Sequence, residues 1–346
     1  MTAAFTHDVP AQRIVFAPGA FAETAGEAER LGMGRALVVA TPGSGARLGR
    51  RVLDKLGKRA AGLCAEAVIH VPTAVAAKGV AAAKAAEADG LVAVGGGSAI
   101  GLAKAIAHAT GLPILAIPTT YSGSEGTMIF GLSEGERKHV RRDPQVRPKT
   151  VIYDPDLTLG LPPAVTAASG LNAVAHCVEA MWAPDATPFG VACAVEALRL
   201  FVHRLPRAVA DGEDRAARAD CLAAAWLAAG ALAGASGLHH KLAHVLGGSG
   251  LPHAETHAVI LPHVARFNLA AAPAARERLA GLFGGRDPAE ALAALVAGFP
   301  IRKRLSALGL PREKCARAAE EVAALGIRAP RAVAKDDALA ILEAAF

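Results

Sequence analysis

The stretch LVAVGGGSAIGLAKAIAHA, Leu91 to Ala109, joins an apolar run to a glycine-rich turn and an alanine-rich segment. Four uninterrupted apolar residues predict a strand that is covered on both faces, and Ile100–Ala109 predicts a helix. Glycines between a strand and a helix let the backbone approach a phosphate, which the N-H groups of the helix terminus then bind. The stretch therefore predicts a nucleotide-binding turn at Gly96, Gly97 and Ser98, although an ordinary strand-to-helix turn has the same pattern.

Similar patterns flank this stretch on both sides. Further strands are predicted at residues 13–16, 36–40 and 113–117, with a weaker one at 66–71, and a helix is predicted at 75–88. Strands that alternate with helices indicate a parallel, doubly wound sheet, whose ligands bind at the carboxyl ends of the strands. Thr119 and Thr120 directly follow the strand at 113–117 and strengthen the nucleotide interpretation. The charged segment 132–148 predicts a hairpin or loop over the cofactor cleft.

The composition of the sequence changes after Tyr153. From Pro162 onward the chain consists of long segments rich in Ala, Leu, Val, Glu and Arg, with few strand candidates. We therefore predict an α/β fold in which residues 1–161 form a Rossmann-like, NAD(P)-binding domain and residues 162–346 form an all-α domain.

Composition limits the possible partners and compartments. The 346 residues are 53% hydrophobic but only 4% aromatic, so the core must consist mainly of Ala, Val and Leu. A net charge of +6, without a basic tract interleaved with aromatics, argues against nucleic acid and favours small anionic ligands. Five scattered cysteines and no signal peptide predict a cytoplasmic protein. The stretch Cys221–Leu238 is long enough to cross a membrane, but its Ala and Gly content predicts a buried helix.

Half of the chain's histidines lie in GLHHKLAHVLGGSGLPHAETHAVILPH, Gly237 to His263. His240 and His244 share a helix face, GGSG ends that helix, and His253 follows after a short turn. This spacing suits metal ligands or acid–base catalysis, whereas structural histidines with satisfied hydrogen bonds are the alternative. Asn172 and His176 also share a helix face, and we expect them in the same polar pocket.

A family resemblance follows from these motifs taken in order. GGGSAIGLAK, IPTTYSGSE, DPDLTLGLPP, SGLNAVAHCVEA and the histidine-rich stretch resemble the iron-containing (group III) alcohol dehydrogenase family over nearly the whole chain. Their details are most similar to the maleylacetate reductases within that family. The resemblance implies the dehydroquinate synthase-like fold, with a Rossmann-like domain followed by a helical domain, NADH or NADPH as cofactor, and a homodimer.

The resemblance also implies roles for individual residues. The pyrophosphate would be held by Gly96, Gly97 and Ser98, and the adenine and ribose side by Thr119, Thr120 and Ser122. Lys138, Gly160 and Leu161 would also contact the cofactor. The family's metal ligands, one Asp and three His, correspond to Asn172, His176, His240 and His253, and His244 would lie beside the nicotinamide.

Three positions depart from the family pattern. Asn172 replaces the ligand Asp, so the ligand set loses its only negative charge, and we predict that no metal is required. Gly101 replaces an Asp near the phosphates. Thr41 stands after the second strand where an acid would bind the ribose hydroxyl and repel a 2′-phosphate, so we expect both NADH and NADPH to be accepted.

The implied reaction is reduction of the carbon–carbon double bond of maleylacetate, a small dicarboxylate, to 3-oxoadipate in the degradation of aromatic compounds. We predict His253, His240 and His176 as hydrogen-bond donors to the substrate and His244 as proton donor. Other predicted substrate contacts are Asn172, Tyr121, His239 and Lys241, with Lys241 as a solvated residue the alternative. His257 and His263 are predicted to be supporting or structural. Arg141 and Arg142 are predicted to form a solvated face, with attraction of the substrate as the alternative. The alternatives are a metal-dependent alcohol or polyol dehydrogenase of the same family and, more remotely, a non-catalytic metal-binding protein.

Overall fold

The computed structural model describes residues 5–8, 11–135, 137–231 and 237–346. The chain divides into an α/β unit, Val9–Leu161, and a helical unit that comprises Pro162–Phe346 and also residues 5–8. We predicted that the first domain begins at residue 1, but residues 5–8 group with the helices. The physical reason is His7, whose ring lies 4.9 Å from that of Phe189 and whose Nδ1 is 3.2 Å from Thr187 Oγ1.

The α/β unit is built on parallel strands, as the alternating pattern predicts. Among the described residues, six strands form one parallel sheet in the order β1-β8-β5-β4-β2-β3, and β6 and β7 form a separate antiparallel hairpin. The strands are β1 Arg13–Phe16, β2 Ala36–Val39, β3 Ala60–Cys64, β4 Gly90–Gly95, β5 Ile114–Pro118, β6 Ile129–Glu134, β7 Arg137–Arg142 and β8 Thr150–Tyr153; the helices are α1 Thr24–Arg30, α2 Ser44–Leu56, α3 Thr73–Ala85 and α4 Gly97–Thr110.

Both faces of this sheet are covered. In β4 the side chains of Leu91 and Ala93 belong to the core beneath α3 and α4, whereas Val92 and Val94 belong to the core beneath α2. Successive residues of a strand point to opposite faces, so a strand that is buried on both sides must be apolar throughout. This explains why uninterrupted apolar runs identified the central strands.

The prediction of a weak strand at residues 66–71 was wrong. The strand of this region is β3, whereas His70 and Val71 have φ values of 63° and 44° in the left-handed region, which no strand contains. Val68 and Ile69 are 37% and 51% exposed. Because β3 pairs with β2 alone among the described residues, it needs little apolar surface and its sequence AAGLC gives a weak pattern.

Every regular element described after Pro162 is a helix. Small residues let these helices pack closely: a Cβ on Gly170 would come within 2.6 Å of Leu205 Cδ1. None of the described helices combines the length and the apolar character needed to cross a membrane. The helices are α5 Pro163–Ala180, α6 Pro188–Ala210, α7 Arg215–Ala231, α8 Leu238–Gly248, α9 His253–Leu269, α10 Pro273–Leu282, α11 Pro288–Ala297, α12 Glu313–Ala324 and α13 Lys335–Ala344.

The stretch Cys221–Leu238 lies only partly within the described residues. Its first part, to Ala231, belongs to α7, where Ala224, Ala225 and Ala228 are fully buried. Residues 232–236 lie outside the described part, and Leu238 begins α8. The described part agrees with the prediction of a buried helix.

Candidate active site

The predicted phosphate-binding turn lies between β4 and α4. The pairing of β4 with β5 places Gly95 opposite Pro118, and the Thr119 N-H donates to the Gly95 carbonyl at 3.1 Å. A Cβ on Gly96 would lie 2.9 Å from Thr120 Cγ2, so this close approach requires glycine. The two predicted cofactor segments, after β4 and after β5, therefore lie side by side at the carboxyl edge of the sheet.

The other predicted cofactor residues belong to the same unit. Ser98 lies in the first turn of α4, and Thr41 follows β2. Gly160 and Leu161 follow the 3-10 turn Pro155–Thr158. Lys138 lies on β7, and burial lowers its pKa to about 8. A lysine with this pKa loses charge only slightly above neutral pH, so it can still bind a phosphate at pH 7.

A buried polar network anchors the segment that follows Thr120. The fully buried Lys104 Nζ donates to the carbonyls of Ser124 and Ile129 at 2.6 and 2.9 Å and to Thr127 Oγ1 at 3.0 Å, and burial lowers its pKa to about 7. The Glu125 carboxylate accepts a 2.9 Å hydrogen bond from the Tyr153 hydroxyl.

Burial raises the pKa of Glu125. Sequence analysis gave no role to Lys104, Glu125 or Tyr153. The signal was the lysine of GLAK, a charged residue within an otherwise apolar helix face. Tyr121, a predicted substrate contact, is fully buried in the same segment.

The helical unit gathers six imidazole rings into one cluster. The His240 ring centre lies 4.8 Å from that of His176, 4.7 Å from that of His257 and 6.2 Å from that of His244. His253 stacks on His244 at 6.0 Å and meets His257 at 4.5 Å. The sixth ring, His239, lies 4.9 Å from that of His257. The break between α8 and α9 makes this possible, because it brings two helix faces together, with α5 supplying His176.

Glu179 is the carboxylate of this cluster, and sequence analysis missed it. It lies one helical turn after His176 on α5 and is 3% exposed. Its Oε2 is 2.5 Å from His240 Nδ1, and its Oε1 accepts a 2.9 Å hydrogen bond from the backbone N-H of His239. With its proton on Nδ1, His240 directs Nε2 away from Glu179. Glu179 therefore determines the orientation of His240.

The cluster keeps its inner rings neutral. Burial, reinforced by the neighbouring His240 and His239 rings, lowers the pKa of His176 well below its usual value, and burial lowers the pKa of His239 to about 4. Burial also lowers the pKa of His257 well below its usual value. Burial alone would raise the pKa of Glu179, but the charge of His240 and the hydrogen bonds it accepts outweigh burial and lower it. The site thus combines an ionised carboxylate with neutral rings at His176, His239 and His257.

Buried polar atoms of the cluster that lack a hydrogen-bond partner within the described part of the chain include Asn172 Oδ1, His176 Nδ1, His240 Nε2 and His257 Nε2. Buried polar atoms are normally paired, so these atoms are expected to meet a ligand. His244 and His253 are only half-buried, and they form the accessible side of the cluster.

The donor set does not fit the iron that the resemblance implies. None of the implied ligands Asn172, His176, His240 and His253 supplies a negative charge, and the Glu179 carboxylate already accepts two hydrogen bonds. Divalent iron favours a set that includes a carboxylate. The side chains of His239, His240 and His257 do have nitrogens within 4.8 Å of one another. However, His239 Nε2 already donates to the His257 carbonyl at 3.0 Å and His240 Nδ1 to Glu179.

The remaining predicted residues lie in three different places. His239 and His257 lie inside the cluster, where their mutual contacts hold α8 against α9. Lys241 is half-buried on α8. His263 does not take part in the described ring contacts and instead lines a cavity of about 200 Å³ with Arg266 and Lys303. These positions favour a supporting role for His239 and His257 and a separate location for His263.

The fold and this histidine cluster correspond to a known family. Residues 11–155 match the family model described as "Iron-containing alcohol dehydrogenase". Residues 166–346 match the model described as "Fe-containing alcohol dehydrogenase family, C-terminal". The chain belongs to the iron-containing alcohol dehydrogenase family.

Its relatives include proteins named maleylacetate reductase. Maleylacetate reductase 2 of Cupriavidus pinatubonensis is 48% identical over 339 residues, which cover 96% of this chain and 94% of that protein. Maleylacetate reductase of Sphingobium indicum is 42% identical over 99% of this chain and 97% of its own length. A crystal structure of maleylacetate reductase from Agrobacterium tumefaciens is 43% identical, with a TM-score of 0.92, and the match covers 99% of this chain and 98% of that one.

Proposed function

We propose that this chain is an NAD(P)H-dependent maleylacetate reductase. The observation that carries the proposal is a buried imidazole cluster with an amide at Asn172, in a chain that is 48% identical to a maleylacetate reductase over nearly its full length. The reaction would be the reduction of the carbon–carbon double bond of maleylacetate, which gives 3-oxoadipate, as a step in the degradation of aromatic compounds.

The chemistry of the substrate explains why hydrogen-bond donors suffice without a metal ion. Maleylacetate has an alkene conjugated to a ketone, so hydride from the nicotinamide adds to the alkene carbon β to the ketone. The electron pair of the double bond then forms an enolate, and a proton is delivered to the α carbon. Because an enolate spreads its charge over carbon and oxygen, preorganised hydrogen-bond donors can stabilise it.

The structure supports specific roles for the cluster. Glu179 accepts the Nδ1 proton of His240 and stabilises the protonated ring, so that Nε2-H can donate to the enolate oxygen. His176 and His253 provide further contacts, and Asn172 faces the same ligand with its unpartnered oxygen. His244, half-buried and stacked on His253, is the proton donor.

No metal takes part in this proposal. A ketone reduction builds a localised alkoxide, which benefits most from a metal Lewis acid, whereas conjugate reduction does not. The family name does refer to iron, and a bound ion would supply Lewis acidity near His176, His240 and His253. The neutral ligand set gives no step that depends on it.

The decisive experiment is an NADH-oxidation assay with maleylacetate beside simple aldehydes and ketones, with and without EDTA. We expect turnover of maleylacetate that EDTA does not change, together with negligible turnover of the simple carbonyl compounds. Inactivity with maleylacetate despite NADH binding would overturn the proposal.

The role of His244 is tested by His244→Ala. We expect turnover to fall about a hundredfold or more, because general acid catalysis contributes on this order. The exposed His203 provides the matched control, since His203→Ala should leave turnover unchanged. Near wild-type turnover of His244→Ala would exclude the ring as proton donor.

A metal-dependent alcohol or polyol dehydrogenase is the second candidate. It is favoured by the unpartnered imidazole nitrogens of His176, His240 and His257, which could bind a divalent ion. This candidate predicts stoichiometric iron or zinc in the purified protein and loss of activity in EDTA. Metal analysis of untreated protein therefore separates the two.

The quaternary state is also a proposal. Family membership supports a homodimer, which light scattering on the full-length chain would test. A mass of about 35.1 kDa, that of one chain, would reject it.

A further inference from the structure

One face of α2 places three cations along an open cavity of the α/β unit. Arg47, Arg51 and Lys55 are four residues apart and therefore lie on one side of the helix. They line a cavity of about 640 Å³ together with Ser44, the first residue of α2. A cavity of this size can hold part of a cofactor.

The positive charge of this face is not neutralised. Within the described part of the chain, none of the three cations takes part in an ion pair. Asp154 lies in the same cavity, but its carboxylate accepts hydrogen bonds from the N-H groups of Gly19, Phe21 and Asp156 at 2.9–3.0 Å. Asp156 also lines the cavity, so three cations stand against two carboxylates there.

The Arg51 guanidinium is also held in place. Its Cζ lies 5.1 Å from the centre of the Phe21 ring, within the range of a cation–π contact. Such a contact retains the positive charge and reduces the freedom of the side chain. Arg51 is therefore preorganised at the cavity, and the net potential there is positive.

The position of α2 in the sheet indicates which anion this face would bind. Strand β2 pairs in parallel with β4, with Val38 opposite Val92 and Val39 opposite Ala93, so the turn after β2 stands beside the glycine turn after β4. In parallel nucleotide-binding sheets, residues after this neighbouring strand contact the adenosine ribose. An acidic residue there binds the free 2′-hydroxyl, whereas an arginine binds the 2′-phosphate. Residues 40–46, ATPGSGA, contain no acid, and Arg47 is the next charged residue.

We propose that Arg47, assisted by Arg51, binds the adenosine 2′-phosphate of NADPH, so that the phosphorylated cofactor binds more tightly than NADH. The inference rests on the proposed function in that it takes the cofactor to be a nicotinamide dinucleotide. It goes beyond acceptance of both cofactors, because it names the group that is recognised and the side chains that recognise it.

The test is calorimetric binding of adenosine 2′,5′-bisphosphate, 5′-AMP and inorganic phosphate to the full chain. We expect the bisphosphate to bind about tenfold or more tightly than 5′-AMP, because charge-assisted contacts to phosphate are strong. Arg47→Ala should remove most of this difference and leave 5′-AMP binding unchanged. Arg50→Ala is the matched control: it removes the same charge from the same helix at an exposed position that does not line the cavity.

Three outcomes would overturn the inference. The first is equal affinity of the wild-type chain for the two nucleotides. The second is an equal loss in Arg47→Ala and Arg50→Ala, which would mean a general effect of net charge. The third is binding of inorganic phosphate as tightly as the bisphosphate, which would assign the cavity to a free anion. None of these measurements uses maleylacetate, so inactivity with that substrate would reject the proposed function and leave this result unaffected.

Discussion

Glu179 shows how one residue can set the chemistry of several others. Its carboxylate joins α5 to α8 by accepting from the His240 ring and from the His239 backbone. A carboxylate that accepts from one imidazole nitrogen fixes both the tautomer and the direction of the other nitrogen. The availability of His240 Nε2 therefore depends on a side chain that need not touch the substrate.

The first prediction concerns Glu179→Gln. An amide can keep the shape but not the charge, so we expect kcat/KM for maleylacetate to fall about 10- to 100-fold. A change in the pH–rate profile would distinguish this effect from a loss of fold, which circular dichroism would report. The control is Glu255→Gln, since Glu255 pairs with Arg302 at the surface and its loss should leave both measurements unchanged.

The second prediction concerns Gly237→Ala. A Cβ at Gly237 would lie 2.7 Å from Glu179 Oε1, so the carboxylate must move away from His240. We expect turnover to fall in parallel with Glu179→Gln and the thermal midpoint to decrease. A Cβ on Gly281 would meet nothing within 4 Å, so Gly281→Ala provides the comparison and should change neither quantity. Full activity of Gly237→Ala would contradict the proposed role of Glu179.

At the scale of elements, prediction from sequence succeeded where one physical signal dominated. The uninterrupted apolar run of β4, the glycine turn before α4 and the GGSG break between α8 and α9 are all local signals. Strand β3 has small residues and one neighbour, so it leaves no comparable pattern.

In the network of Lys104, Glu125 and Tyr153 only the lysine gave a sequence signal, and its partners could not be predicted. The members of this network are far apart in sequence and meet only after folding. For Glu179 a signal existed, namely an acid three residues after His176 on the same helix.

The third prediction concerns the three helices that carry the cluster. His176, His239 and His257 have folded-state pKa values below the ordinary 6.5, so between about pH 6.5 and 4 the unfolded chain binds protons that the folded chain does not. Their contribution to stability is therefore complete above about pH 6.5 and is lost as the pH falls.

Urea unfolding at about pH 7.5 and about pH 5.5 measures this effect, and the midpoint should be lower at the acidic value. His257→Gln should reduce the difference between the two midpoints, whereas His203→Gln, at an exposed position, should not. Equal midpoints in the wild-type chain would mean that the buried rings accept protons without cost.

At the scale of the whole molecule, net charge governs encounter with the substrate. The chain carries a formal net charge of +6, and the proposed substrate is a dianion. Attraction between them is screened as the Debye length shortens with salt.

The fourth prediction follows from this charge. Between about 20 and about 200 mM salt we expect KM for maleylacetate to rise about severalfold with kcat unchanged. Thermal midpoints over the same range provide the control for loss of fold. A KM that is independent of salt would show that short-range contacts alone bring the substrate in.

The grouping of residues 5–8 with the helices has a practical consequence for dissecting the protein. The polypeptide passes from the helical unit to the α/β unit near residue 9 and returns at Pro162, so the α/β unit is one continuous length of chain whereas the helical unit is made of two. A fragment that starts at Pro162 would lose the imidazole of His7 from Thr187 and Phe189. A fragment of the helical unit should therefore include the N-terminal residues up to Asp8. Without them, we expect the more exposed Phe189 ring to favour self-association.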